Sequence, residues 1–154
     1  MRGVVVGLAL AGLPATSALA LSAAPAAAAT FRGESTQSLP VLVKTRTDGR
    51  ARRFEWAWQA GCRSGGTFRG ATHTRRLRQT RHHGFVSHGS YVVDRSGFRF
   101  SISGIVGGEP VSASEWRGSF RLSVVVHRRG KVIDRCLLGT TRWQAIAPSA
   151  PDPM

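Results

Sequence analysis

Apolar and polar residues alternate with a period of two in short stretches along most of this chain. In Arg53-Phe54-Glu55-Trp56-Ala57-Trp58-Gln59, the aromatics Phe54, Trp56 and Trp58 fall on one face and polar or small residues on the other. That is the pattern of a half-buried strand. Phe98–Ser103 alternates in the same way before Gly104, and Phe120–His127 sets Phe120, Leu122, Val124 and Val126 against Arg121, Ser123, Val125 and His127. Leu39–Val43 is rich in β formers and leads to Asp48-Gly49, a strong hairpin signal. Tyr91-Val92-Val93 predicts a shorter strand stopping at Asp94-Arg95-Ser96-Gly97. Arg128-Arg129-Gly130 predicts a turn into Lys131–Cys136, and a last strand covers about Thr140–Ala145, with Thr141, Trp143 and Ala145 on one face. No stretch carries a comparable helical period. The expected fold is all-β, an antiparallel β-sandwich of seven to eight short strands.

One region breaks the alternation. Arg63–His88 is polar and basic, punctuated by Gly65, Gly66, Gly70 and Gly84, and reads as a loop far longer than a hairpin connection. Within it His73–Gly84 spells HTRRLRQTRHHG. Connections of that length are functional or merely mobile.

The ends of the chain read differently from its middle. Arg2, the apolar run Val4–Leu13 and the small-x-small endings at Ala18–Ala20 and Ala27–Ala29 have the layout of a secretory signal peptide. The apolar run is shorter than the about 20 residues that a membrane-spanning helix needs. Residues 1–29 are therefore assigned to a leader cleaved after Ala29, with Ala20 as the alternative, which predicts a secreted protein. No cysteine lies near the cleavage site, which argues against a lipid anchor. Residues 30–146 form the expected sandwich domain and 147–154 a disordered tail. The two cysteines, Cys62 and Cys136, would then lie in an oxidising compartment, where an even count favours one disulfide. Free thiols or metal ligands are the competing reading, but no Cys-x-x-Cys or neighbouring histidine pattern accompanies them.

Charge changes the picture most. The chain carries 22 Lys and Arg against 8 Asp and Glu, a formal net charge of +14. All the basic residues but Lys44 and Lys131 are arginine. A high-GC genome accounts for such a bias without function, whereas a functional reading makes it an attraction to polyanions. The acids Glu34, Asp48, Glu55, Asp94, Glu109, Glu115, Asp134 and Asp152 show no pairing along any strand of the kind that hydrolysis of a glycosidic bond requires. No Gly-x-Ser-x-Gly elbow is present, so no catalytic residue is assigned. His73, His82, His83 and His88 are potential zinc or copper ligands. The intervening arginines oppose a cation, and neither a metal nor a cofactor is assigned. Anion binding suits the segment better: arginine presents a planar fork of donors to phosphate, sulfate or carboxylate, and histidine gains charge in acidic surroundings. The candidate anion-binding residues are Arg69, Arg75, Arg76, Arg78, Arg81, His82 and His83. Without interleaved aromatics, any contact with nucleic acid would be to phosphate and independent of sequence. Trp116, near a strand start, is the one tryptophan read as a possible exposed platform for a sugar ring.

Three stretches carry a resemblance: Arg32-Gly33-Glu34-Ser35-Thr36-Gln37, then Phe54-x-Trp56-x-Trp58 leading to Cys62, and the ending Gly130–Cys136 followed by x-x-Gly139-x-x-x-Trp143-x-Ala145. Together they resemble a group of small exported β-sandwich proteins of high-GC Gram-positive bacteria. The resemblance implies the fold, export and the Cys62–Cys136 bridge. No activity comes with it, so it assigns no catalytic or binding residue. The expectation is a secreted, non-catalytic protein holding a polyanion (wall polymer, acidic polysaccharide or extracellular nucleic acid) through its basic loop. The alternatives are a structural secreted protein without a dedicated ligand, and a wall or polysaccharide hydrolase or carbohydrate-binding module.

Overall fold

The computed structural model describes residues 27–148; nearly all of the assigned leader and residues 149–154 of the assigned tail lie outside the described residues. Nine strands follow in chain order: β1 Thr30–Ser35, β2 Pro40–Thr45, β3 Ala51–Cys62, β4 Thr67–Thr74, β5 Arg78–Gln79, β6 Phe85–Arg95, β7 Phe98–Ser112, β8 Glu115–Arg128 and β9 Lys131–Ile146. All pair antiparallel, in the order β4-β3-β2-β1-β9-β8-β7-β6-β5. The sheet folds over at the β1–β9 junction into two leaves, β4-β3-β2-β1 facing β9-β8-β7-β6-β5. β9 also pairs with β3, where Gly61 lies opposite Leu137 and Cys62 opposite Cys136. The two cysteines are joined there as a disulfide.

The alternating faces meet as expected. Phe54 and Trp58 from β3 and Val43 from β2 face Phe85, Trp116, Phe120, Val124 and Trp143 from the other leaf, all essentially excluded from solvent. Phe54 sits 4.8 Å from Trp143 and 5.5 Å from Phe85, ring centre to ring centre. Glycines make room for the largest rings. Gly118 on β8 is paired with Trp143 and also faces Gly108 on β7. A β-carbon on Gly108 or Gly118 would stand 2.4 or 2.6 Å from the Trp143 ring, so the two glycines form a slot for the indole. Gly70 does the same for Trp58, its paired residue across β3 and β4. Aromatic rings laid over strand glycines recover packing that the missing side chain gives up.

The turns follow the sequence. Gly49 takes a positive φ of 79°, and Asp48 Oδ1 accepts the Arg50 N–H at 3.0 Å. Ser96-Gly97 and Arg129-Gly130 both have positive φ at both positions, the geometry that matches the twist of a two-residue hairpin.

Four expectations need correction. Arg63–His88 is not a long loop: it contains β4, β5 and the start of β6. The alternation is present in β4, but its inward positions are Phe68, Gly70, Thr72 and Thr74, so the inner face carries little hydrophobicity. Tyr91–Val93 is part of the eleven-residue β6 rather than a short strand. Lys131–Cys136 and Thr140–Ala145 are one strand, β9, interrupted by a register shift opposite Phe120–Leu122 that sets Gly139 and Thr140 against the single residue Arg121, one extra residue on β9. Trp116 is no surface platform. It is 1% exposed and packs edge-on against Phe31 at 6.2 Å, because its paired position beside Ala145 faces inward. The strand count is accordingly nine, with five strands of eleven residues or more.

Both boundaries of the domain are tied down. Ala29 donates its N–H to Thr45 Oγ1 at 3.1 Å and accepts the Thr45 N–H at 2.9 Å. Ala147 donates to the Ser114 carbonyl at 2.8 Å and packs on the core.

Candidate functional site

Between Thr74 and Arg78 the chain crosses from one leaf to the other, carrying most of the predicted basic site with it. Leu77, in the middle of the crossover, packs against the core. Gln79 donates its Nε2 to the Ala51 carbonyl at 2.9 Å, linking β5 to β3. Beyond β5 the chain turns back tightly: Thr80 N–H donates to the Gly84 carbonyl at 2.8 Å, and His83 takes a positive φ of 58°. Gly84 is buried, and a β-carbon there would stand 2.7 Å from the Gly108 carbonyl. Leu77, Gln79 and Gly84 therefore point into the molecule and fix the backbone of the segment. Arg75, Arg76, Arg78, Arg81, His82 and His83 are all exposed on that frame.

The structure does not gather all seven predicted residues. Arg69 lies on the outer face of β4, where its Nε donates to Gln59 Oε1 at 2.6 Å. At strand rise it is about 20 Å from Arg75. The other six share the crossover and the β5–β6 hairpin. His73 and His88 sit on β4 and β6. Among the described residues, the one place where three metal-binding side chains converge is Cys62, Cys136 and Asp134. The two sulfurs there are already bonded to each other.

Few carboxylates answer the positive charge. The described residues include every Lys and Arg but Arg2, so 21 in all. Only Lys44 and Arg53 (both with Glu55), Arg99 (with Asp94) and Arg117 (with Glu115) are within ion-pair distance of an acid. That leaves 17 without a carboxylate partner among the described residues, including all four arginines of the crossover and hairpin. The Asp94 hydrogen bond raises the pKa of Arg99 above its ordinary value, so that pair holds its charge. Asp134 is engaged elsewhere. It accepts from the Ser64 hydroxyl and, at 2.8 Å, from the Arg135 N–H, fastening the β3–β4 turn to β9 beside the disulfide. The Ser64 hydrogen bond, more than any other contact, holds the Asp134 carboxyl below its usual value.

A second feature escaped the sequence. β5 covers only the first two residues of β6, so the rest of that edge is unpaired and faces the free edge of β4. Side chains alone bridge the two strands. Thr74 Oγ1 lies 3.1 Å from Ser87 Oγ, and Thr72 Oγ1 bonds to the Tyr91 hydroxyl while accepting the Trp58 indole N–H at 3.0 Å. The opening between the strands is a cleft of about 780 Å³. The threonines at inward positions of β4 and the isolated Gly89 within β6 are its only marks in the sequence.

Fold and surface together define a disulfide-tied, all-β protein with an open side and an excess of unpaired arginine. No family model matches the chain, and no curated protein or solved structure does either.

Proposed function

We propose that this is an exported, non-catalytic binding protein that holds extracellular polyanions through the crossover and β5–β6 hairpin. The observation that carries this reading is the ordered presentation of Arg75, Arg76, Arg78 and Arg81, anchored beneath by Leu77 and Gln79 and facing no carboxylate. A fixed backbone lowers the entropic cost of ordering the guanidinium groups on a ligand, and each guanidinium can take a phosphate, sulfate or carboxylate in bidentate fashion. The disulfide and the likeness to exported β-sandwich proteins support secretion. Wall polymers, acidic polysaccharide and extracellular nucleic acid all offer the repeated anionic groups that such a segment takes.

The test is retention on immobilised DNA and heparin across a salt series, with Arg75, Arg76, Arg78 and Arg81 replaced together by serine. On duplex DNA each lost phosphate contact removes about 0.9 from the slope of log K against log salt, so the four-fold variant should lose a slope of about 3 to 4. The wide scatter of the other unpaired cations favours a second reading, diffuse attraction by the whole surface. An unchanged slope selects that reading and removes the segment as the site.

A further inference from the structure

We propose that the cleft between β4 and β6 is a binding site for a small organic acid with an apolar body, adjoining the polyanion surface and sharing Arg76 with it. The volume of the cleft, about 780 Å³, falls within the roughly 300–1,000 Å³ typical of small-molecule sites. Its interior wall is apolar, formed by Trp56, Ile102, Val106 and Leu122. Hydroxyls from Thr72, Thr74, Ser87 and Tyr91 line the space between the strands. Arg76, His73 and His88 also line it, with no carboxylate among the lining residues. An apolar body fits the wall, and an acidic head fits the cationic rim.

A glycine keeps the space open. β6 alternates so that Ser87, Gly89 and Tyr91 face inward, opposite the inward residues Val106, Gly104 and Ile102 of β7. A β-carbon at Gly89 would meet nothing within 4 Å, unlike those at Gly70, Gly108 and Gly118, which would strike a tryptophan ring. Gly89 also has no positive φ that would require glycine. A strand interior is a costly place for glycine, and here neither packing nor backbone conformation calls for it. The void it leaves explains its presence. Trp56 is half-buried at this wall.

The experiment uses decanoate as the anionic probe and decanol as its neutral counterpart, below their aggregation concentrations. Binding is followed by calorimetry and by amide chemical shifts of the unmutated protein. Decanoate should bind one to one, with shifts concentrated at residues 71–74 and 87–91, and at least tenfold more tightly than decanol. Gly89→Leu should abolish binding, and Arg76→Ser should weaken decanoate about tenfold with little effect on decanol. Gly61→Leu, at another glycine whose β-carbon would be unobstructed, should bind as the wild type does. The inference is overturned if decanoate fails to bind, if shifts concentrate elsewhere, if decanol binds equally well, or if a folded Gly89→Leu variant still binds. The shift map needs no variant, so the test stands even if Gly89→Leu does not fold.

Discussion

Replacing Gly118 with alanine adds one methyl group at the tightest point of the second leaf. Its β-carbon would stand 2.0 Å from the Gly107 carbonyl oxygen, 2.7 Å from the Gly108 α-carbon and 2.6 Å from the Trp143 ring. The first two obstacles are main chain and cannot rotate away. Reaching an ordinary contact of 3.4 Å from the carbonyl requires a local shift of 1.4 Å between β7 and β8. These strands are paired without interruption from Phe98 to Pro110, so the shift must break or stretch ladder hydrogen bonds and unseat Trp143 from its slot. Overpacking of this kind costs about 1–3 kcal/mol, and the backbone component places this case near 3. The entropy gained by exchanging glycine for alanine returns only about 0.5–1 kcal/mol. The expected net loss is about 2 kcal/mol, or a fall in Tm of roughly 6–10 °C for a domain of this size. Urea denaturation followed by tryptophan emission reads it directly. Gly89→Ala is the reference: its β-carbon meets nothing, so it should be neutral or stabilise by up to about 1 kcal/mol. If Gly118→Ala lies within about 0.5 kcal/mol of wild type, or if both variants lose equally, the rigid slot is refuted.

Three further outcomes follow from the fold. Replacing Cys62 and Cys136 together with alanine opens a loop with a sequence separation of 74. That should cost about 4 kcal/mol on the chain-entropy account, read as a lower urea midpoint that a reductant reproduces in the wild type. Trp116→Ala should cost about 3–5 kcal/mol as a core truncation; a near-neutral result would restore the surface-platform reading. The pKa of Asp134 is lowered in the fold, so its contribution is present above the ordinary carboxylate value and is lost as pH falls through the lowered one. Asp134→Asn should therefore melt below wild type at pH 7 and lose less stability between pH 5 and pH 2, and parallel acid profiles would show that Ser64 contributes nothing through this carboxylate.

How much of this was legible depends on where hydrophobicity carried the signal. β3 and β8 declare themselves because their inward positions are aromatic or branched. β4 hides because only Phe68 of its inward positions is a large apolar residue; Gly70 makes room for Trp58, and Thr72 and Thr74 serve a cleft rather than a core. Trp116 was misread because its phase is set by pairing with Ala145 and Pro110, which local spacing does not reveal. The arginines of the crossover were visible as chemistry. Their separation from Arg69 was not, since it depends on β4 running the full length between them. The cleft was least legible of all: it is defined by an unpaired edge and an absent side chain, and neither has a periodicity.

β9 is the strand at which the two leaves are joined. It pairs with β8 along nearly its whole length, with β1 near its end and with β3 at the disulfide. The first strand of the fold is thus sealed by the last. A chain that appears N-terminus first can form the β1–β2–β3–β4 hairpins early, but their inner face stays uncovered until the final strand arrives. Closure of the fold therefore waits for Lys131–Ile146, because among the described residues no other strand joins the two leaves by backbone pairing. Long-range pairing of this sort slows folding, because the loop between the first strand and the last must close before either leaf is covered.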